Sequence, residues 1–151
     1  DPDYNFRAVV DGLNPAYTYD EEHVKWVKDP KDGCAVRFNI RNTKDSYLTI
    51  FATWEDEVAL LFPRDDVEGR DGSFKFASGE THFFGELQNE FWFDSPDKKS
   101  TFHRLFFVFH KEERLFIEDP NTDNMLQWIY EIPRDLRYID IQDFTVHNKM
   151  R

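Results

Sequence analysis

Apolar and polar residues alternate along much of this chain with a period of two, the signature of strands that turn one face to a core and the other outward. Val36, Phe38 and Ile40 lie on one side and Arg37, Asn39 and Arg41 on the other, after a turn at Asp29-Pro30-Lys31-Asp32-Gly33. Tyr4, Phe6, Ala8 and Val10 repeat the pattern until Gly12 and Asn14-Pro15 stop it. Two stretches are apolar on both sides: Tyr47-Leu48-Thr49-Ile50-Phe51-Ala52-Thr53-Trp54, and Leu105-Phe106-Phe107-Val108-Phe109 within residues 102–110. They predict central strands covered on both faces.

Glu55-Asp56 predicts a tight turn from the first of these into a strand over 57–62 that Pro63 ends, followed by an acidic loop. Shorter strands are predicted around 74–76, 82–84, 91–93 and 115–117, and residues 17–28 read as extended. Near the C-terminus Ile139 and Ile141 have opposite parity to Phe144 and Val146, which predicts a β-bulge at Gln142-Asp143. One segment reads as a helix: Asn121, Thr122 or Asp123 serves as N-cap, apolar Met125, Leu126 and Ile129 fall at i, i+1 and i+4, and Pro133 stops it. Eight or nine short strands with one C-terminal helix predict an all-β fold, a two-layer antiparallel β-sandwich of immunoglobulin-like or jelly-roll-like form. No repeat or Ser/Gly-rich linker divides the chain, so residues 1–151 read as a single domain.

Composition sharpens this picture. Sixteen Phe, four Trp and six Tyr bring the aromatic share to 17%, a balance that favours pleated sheet over helix. Thirty acidic residues against 19 basic ones leave a formal net charge of -11. Such a surface repels phosphate backbones, so nucleic acid is not an expected partner. No apolar run approaches the length that spans a bilayer, and direct membrane insertion is not expected either. The single cysteine, Cys34, admits no internal disulfide and no multi-Cys zinc site. The chain opens at Asp1 without Met or a secretory pattern, which reads as an excised domain or a processed mature protein.

Chemistry-bearing residues are present without a chemistry-bearing arrangement. No nucleophile elbow surrounds Ser46, Ser73, Ser78, Ser95 or Ser100, and Cys34 leads into a strand as a small core filler. His23, His82, His103, His110 and His147 lack ligand spacing, and His103 and His110 differ in parity, so one strand presents them to opposite faces. Asp119, Asn121 and Asp123 match the opening of a calcium loop, but Asn124 stands where that loop wants Gly and Tyr130 where it wants Glu. A turn with a helix N-cap is the simpler reading of these three. No catalytic residue, metal or cofactor is expected. Among Trp26, Trp54, Trp92 and Trp128, the first and third belong to the less continuously apolar strands, which makes Trp26 and Trp92 the candidate ligand-stacking residues.

The segment over 31–63, KDGCAVRFNIRNTKDSYLTIFATWEDEVALLFP, resembles a bacterial family, domain of unknown function 4384. The likeness rests on the alternating strand after Gly33, on Asp45-Ser46-Tyr47-Leu48-Thr49-Ile50-Phe51 and on Asp56-Glu57-Val58-Ala59-Leu60-Leu61-Phe62-Pro63. Ala77-Ser78-Gly79-Glu80 and the strand from Arg104 to His110 extend it over about two thirds of the chain. Ser46 stands where that family usually has Gly. The resemblance implies an immunoglobulin-like sandwich serving as an accessory module of a larger bacterial envelope protein, periplasmic or at the cell surface, that contacts a protein partner or neighbouring domains. The alternative is a carbohydrate-binding module using exposed Trp, Phe or Tyr platforms.

Overall fold

The computed structural model describes residues 6–11, 33–42, 45–63, 75–76, 81–84, 91–95 and 98–147. These build a mostly β protein with one helix. In chain order the elements are β1 (Phe6–Asp11), β2 (Gly33–Asn42), β3 (Ser46–Trp54), β4 (Glu57–Phe62), β5 (Lys75–Phe76), β6 (Thr81–Phe84), β7 (Phe91–Asp94) and β8 (Ser100–His110). Helix α1 (Thr122–Glu131), a 3-10 turn (Arg134–Leu136) and β9 (Arg137–His147) complete them. One antiparallel sheet has β2 between β1 and β6, with β7 also paired to β2. The other runs β4-β3-β8-β9, with β5 paired to the start of β3.

The two stretches that are apolar on both sides occupy the centre of the five-stranded sheet, side by side. β3 and β8 pair from Tyr47 opposite His110 to Trp54 opposite His103. Their even and odd residues feed two separate apolar clusters. On one face Leu48, Ile50 and Ala52 meet Leu105, Phe107 and Phe109, joined by Leu61, Phe62, Val146 and by Phe93 of β7. On the other, Phe51, Val58 and Val108 meet the stripe Met125, Trp128, Ile129 and Ile132 of the helical segment. That i, i+3, i+4, i+7 spacing is what one helix face offers a sheet.

Helix α1 starts where the capping residues predict. Asn121 is the N-cap: its side chain accepts from the Asn124 amide at 2.8 Å, and the Asn124 side chain accepts from the Asn121 amide at 2.8 Å. This reciprocal box satisfies two of the backbone donors that a helix start leaves over. The last turn has no basic residue of its own. Arg137, the first residue of β9, supplies the cation, donating to the carbonyls of Ile129 and Ile132.

Two expectations fail for physical reasons. Residues 115–117 form no strand; they cross the helix, where Phe116 is buried against Phe51 and Trp128, and the Trp128 indole donates to the Leu115 carbonyl at 3.3 Å. The segment is held by side chains and one indole rather than by a ladder. The bulge expected at Gln142-Asp143 is also absent, since β9 pairs with β8 without a register shift from His147 opposite Ser100 to Arg137 opposite His110. The parity change has another cause: Ile139 packs on the helix side and Phe144 and Val146 on the opposite side, so one unbroken strand serves both clusters. The irregularity lies instead between β3 and β4, where Ile50 pairs with Phe62 and Phe51 with Leu60. Leu61, the residue skipped, joins Phe62 in the same cluster.

Candidate functional site

Of the residues singled out by the sequence, Trp26 lies outside the described residues. Trp92 sits in β7, its backbone opposite Ala35 of β2, while Cys34 in β2 is opposite Phe93. Asp119, Asn121 and Asp123 surround the start of α1. There the Asn121 side-chain oxygen serves the cap and the Asp119 carbonyl accepts from the Asn124 side-chain amide at 2.7 Å. Among the described residues no three His, Cys, Asp or Glu side chains are gathered as metal ligands, and no helix is long and apolar enough to cross a membrane.

Several buried polar side chains pack into the two clusters. His103 and His110 fall on opposite faces of β8, as their parity requires. His103 stacks on Phe144, with ring centres 5.3 Å apart, and meets Phe93 edge-on at 5.2 Å. His110 is 1% exposed and lies between Tyr47, 5.9 Å away and stacked, and the edge of Trp128 at 5.4 Å. Its Nδ1 is 2.8 Å from the Glu112 carbonyl, an acceptor only, so Nδ1 carries the proton and donates. Nε2 then accepts from the Thr49 hydroxyl at 2.9 Å. Burial pushes the His110 pKa down to about 4 against the upward pull of the Glu112 carbonyl, and the nearby Arg114 lowers it further. The ring is therefore neutral at pH 7. Ser95 donates to the Lys98 carbonyl at 2.9 Å, which leaves the Thr101 hydroxyl to donate to Ser95 at 2.7 Å.

Two clefts flank the helix. One, of about 140 Å³, runs between His110, Arg114, Pro133 and Leu136. The other, of about 220 Å³, has Trp128 on its lining with Ile117 and Gln127. Arg114 spans the region, holding Glu131 at 2.6 Å and lying 5.3 Å over the Trp128 ring. That contact, with Gln127 adding a second hydrogen bond, holds the Glu131 carboxyl below its ordinary range.

The outer surface of the five-stranded sheet carries the other distinctive feature. Phe102 is 51% exposed and Ile141 46%, both on the helix-side face, while Tyr138 is exposed on the opposite face of β9. Between Phe102 and Ile141, Arg104 grips Asp143 with Nε at 2.8 Å and Nη2 at 3.2 Å, and its guanidinium lies 5.6 Å over the Phe102 ring. β9 is the edge of this sheet, and among the described residues no strand pairs with its outer side. Exposed apolar side chains beside a long straight edge are what a contact surface offers. In the sequence Phe102 and Ile141 look like core residues of strands; their exposure shows only once β9 is placed at the edge of the sheet.

Comparison with protein-family models, with curated proteins and with solved structures gives no match for this chain.

Proposed function

We propose that this chain is a non-catalytic accessory module of the domain of unknown function 4384 kind, acting by protein contact within a larger bacterial envelope protein. In this reading the β1-β2-β6-β7 sheet stacks on the five-stranded sheet as a β-sandwich, and Phe93 reaching from β7 into the Phe107 cluster supports that packing. The observation that carries the functional reading is the helix-side surface of β8 and β9, where Phe102 on β8 and Ile141 on the edge strand β9 stand exposed. A protein partner gains there both apolar area and backbone hydrogen bonds.

The test compares the wild-type chain with the double variant Phe102→Ser, Ile141→Lys. Both are immobilised and exposed to a bacterial envelope fraction, while polysaccharide affinity gels run in parallel. Retention of a discrete protein is expected to fall about 10-fold or more in the variant. Its melting temperature should stay within about 2 °C of wild type, as for other exposed positions. Retardation by a glycan that Trp26→Ala or Trp92→Ala abolishes would instead establish a carbohydrate-binding module.

A further inference from the structure

We propose that two copies of this chain pair edge to edge through β9, antiparallel, about a two-fold axis normal to the sheet at Asp140. This deepens the protein-contact reading and rests on it, naming the partner as a second copy. The ground is the order of side chains on β9. Over residues 137–143 its helix-side face reads Arg137, Ile139, Ile141, Asp143, and the face then continues with Thr145. Reversed, the same series reads Asp, Ile, Ile, Arg.

A two-fold axis normal to the sheet keeps each face on its own side, so opposed residues must share parity. With the axis at Asp140, Arg137 stands opposite Asp143 of the second copy, and Ile139 opposite Ile141 of the second copy. Every pair within this 137–143 window is then either oppositely charged or apolar, and each occurs twice. The half-exposed Ile141 side chain is covered by the Ile139 of its mate. Asp143 already holds Arg104 through two hydrogen bonds, and a carboxylate has lone pairs left for a second guanidinium. Arg137 is held by Nη1 on the Ile129 and Ile132 carbonyls and 5.2 Å over the Tyr130 ring, so it meets the second copy's Asp143 through its remaining guanidinium N–H groups. Moving the register by two residues places Ile139 opposite Asp143 and loses the match.

β9 also has the backbone for the task. It pairs with β8 over its full length without a bulge and contains no Pro, so of the devices that blunt an edge it carries only charged side chains. One feature opposes the pairing. Asp140 meets Asp140 of the second copy on the axis, a like-charge pair tempered by the Gln142 amide, which donates to the Asp140 carboxylate at 3.0 Å. At a net charge of -11 per chain, the interface is weak and concentration-dependent, as small contacts are.

Sedimentation of the full chain from micromolar to near-millimolar concentration reads this directly. A reversible dimer is expected, which Ile141→Lys and Asp143→Arg each weaken about 10-fold or more. Arg137→Asp and Asp143→Arg, mixed, should dimerise where neither does alone, because all four charges are then matched. Arg137 also caps α1, so its variant is liable to unfold, and Asp140→Asn gives an independent check. Removing the like-charge pair on the axis should tighten the dimer roughly 2- to 5-fold, an effect that the shifted register does not produce. A monomer at every concentration, or a dimer indifferent to both Ile141→Lys and Asp140→Asn, would overturn the proposal. A monomer that still retains another protein in an Ile141-dependent way overturns self-pairing and leaves the contact reading standing; loss of both sinks both.

Discussion

Phe107→Ala and Phe51→Ala are each expected to lower the free energy of unfolding by about 3–5 kcal/mol, the range for emptying a buried Phe site. Both side chains are 0% exposed. They sit on opposite faces of the two central strands, so each opens a cavity in a different cluster. Phe51 loses edge contacts to Phe116 at 5.1 Å and Trp128 at 5.7 Å, the rings that bind the helical segment to the sheet. Phe107 loses packing among Ile50, Leu105 and Phe109 on the far side. A domain of this size has about 5–15 kcal/mol in total, so either variant removes a large fraction of its stability. The melting temperature should drop by about 10 °C. Urea unfolding decides it: a loss under 1 kcal/mol at either position would place the centre of the sheet elsewhere.

Acidification from pH 6.5 to 4 is expected to remove about 3 kcal/mol through His110 alone, since its pKa stands at about 4 when folded against 6.5 for the ordinary ring. The sign follows from which state binds the proton first. Below pH 6.5 the unfolded chain protonates at this ring while the folded chain does not, so stability falls with pH until the folded ring also titrates near 4. Above 6.5 both forms are neutral and the contribution is complete. Protonating Nε2 in the fold would also face it with the Thr49 hydroxyl as a donor and break the 2.9 Å hydrogen bond. His110→Gln removes the titration, so the difference in unfolding free energy between wild type and variant should shrink as pH falls from 6.5 to 4. Parallel curves over that window would contradict the buried neutral ring.

How much of this was legible in the residues depends on which interactions fix each element. β3 and β8 were readable because runs such as Leu105 to Phe109 can be satisfied only where both faces of the strand are buried. Helix α1 was readable from its cap and Pro133, though Trp128 as part of its buried stripe was not, because a tryptophan shows no preference for one partner in sequence. Residues 115–117 look like a strand locally, yet a strand needs a ladder partner, and the helix side offers Phe116 a pocket instead. Ile139 and Phe144 showed a true parity change whose cause lay in tertiary packing: a strand whose two faces join different apolar clusters needs no bulge. The Arg137, Ile139, Ile141, Asp143 series was visible all along, but its self-complementarity acquires meaning only once β9 is known to be an edge. Trp92 has a backbone place beside β2, and Trp26 lies outside the described residues.

Site-specific photo-crosslinking tests most directly that contact runs through β8 and β9. A benzophenone side chain replaces Ile141 in one preparation and Ile117, the 80% exposed residue beside the helix, in another, and both are irradiated in a bacterial envelope fraction. The account predicts a discrete protein adduct from position 141, at twice the chain's mass where the partner is a second copy, and none from position 117. Adducts from position 117 alone, or silence at both positions while a polysaccharide retards the protein, would contradict it.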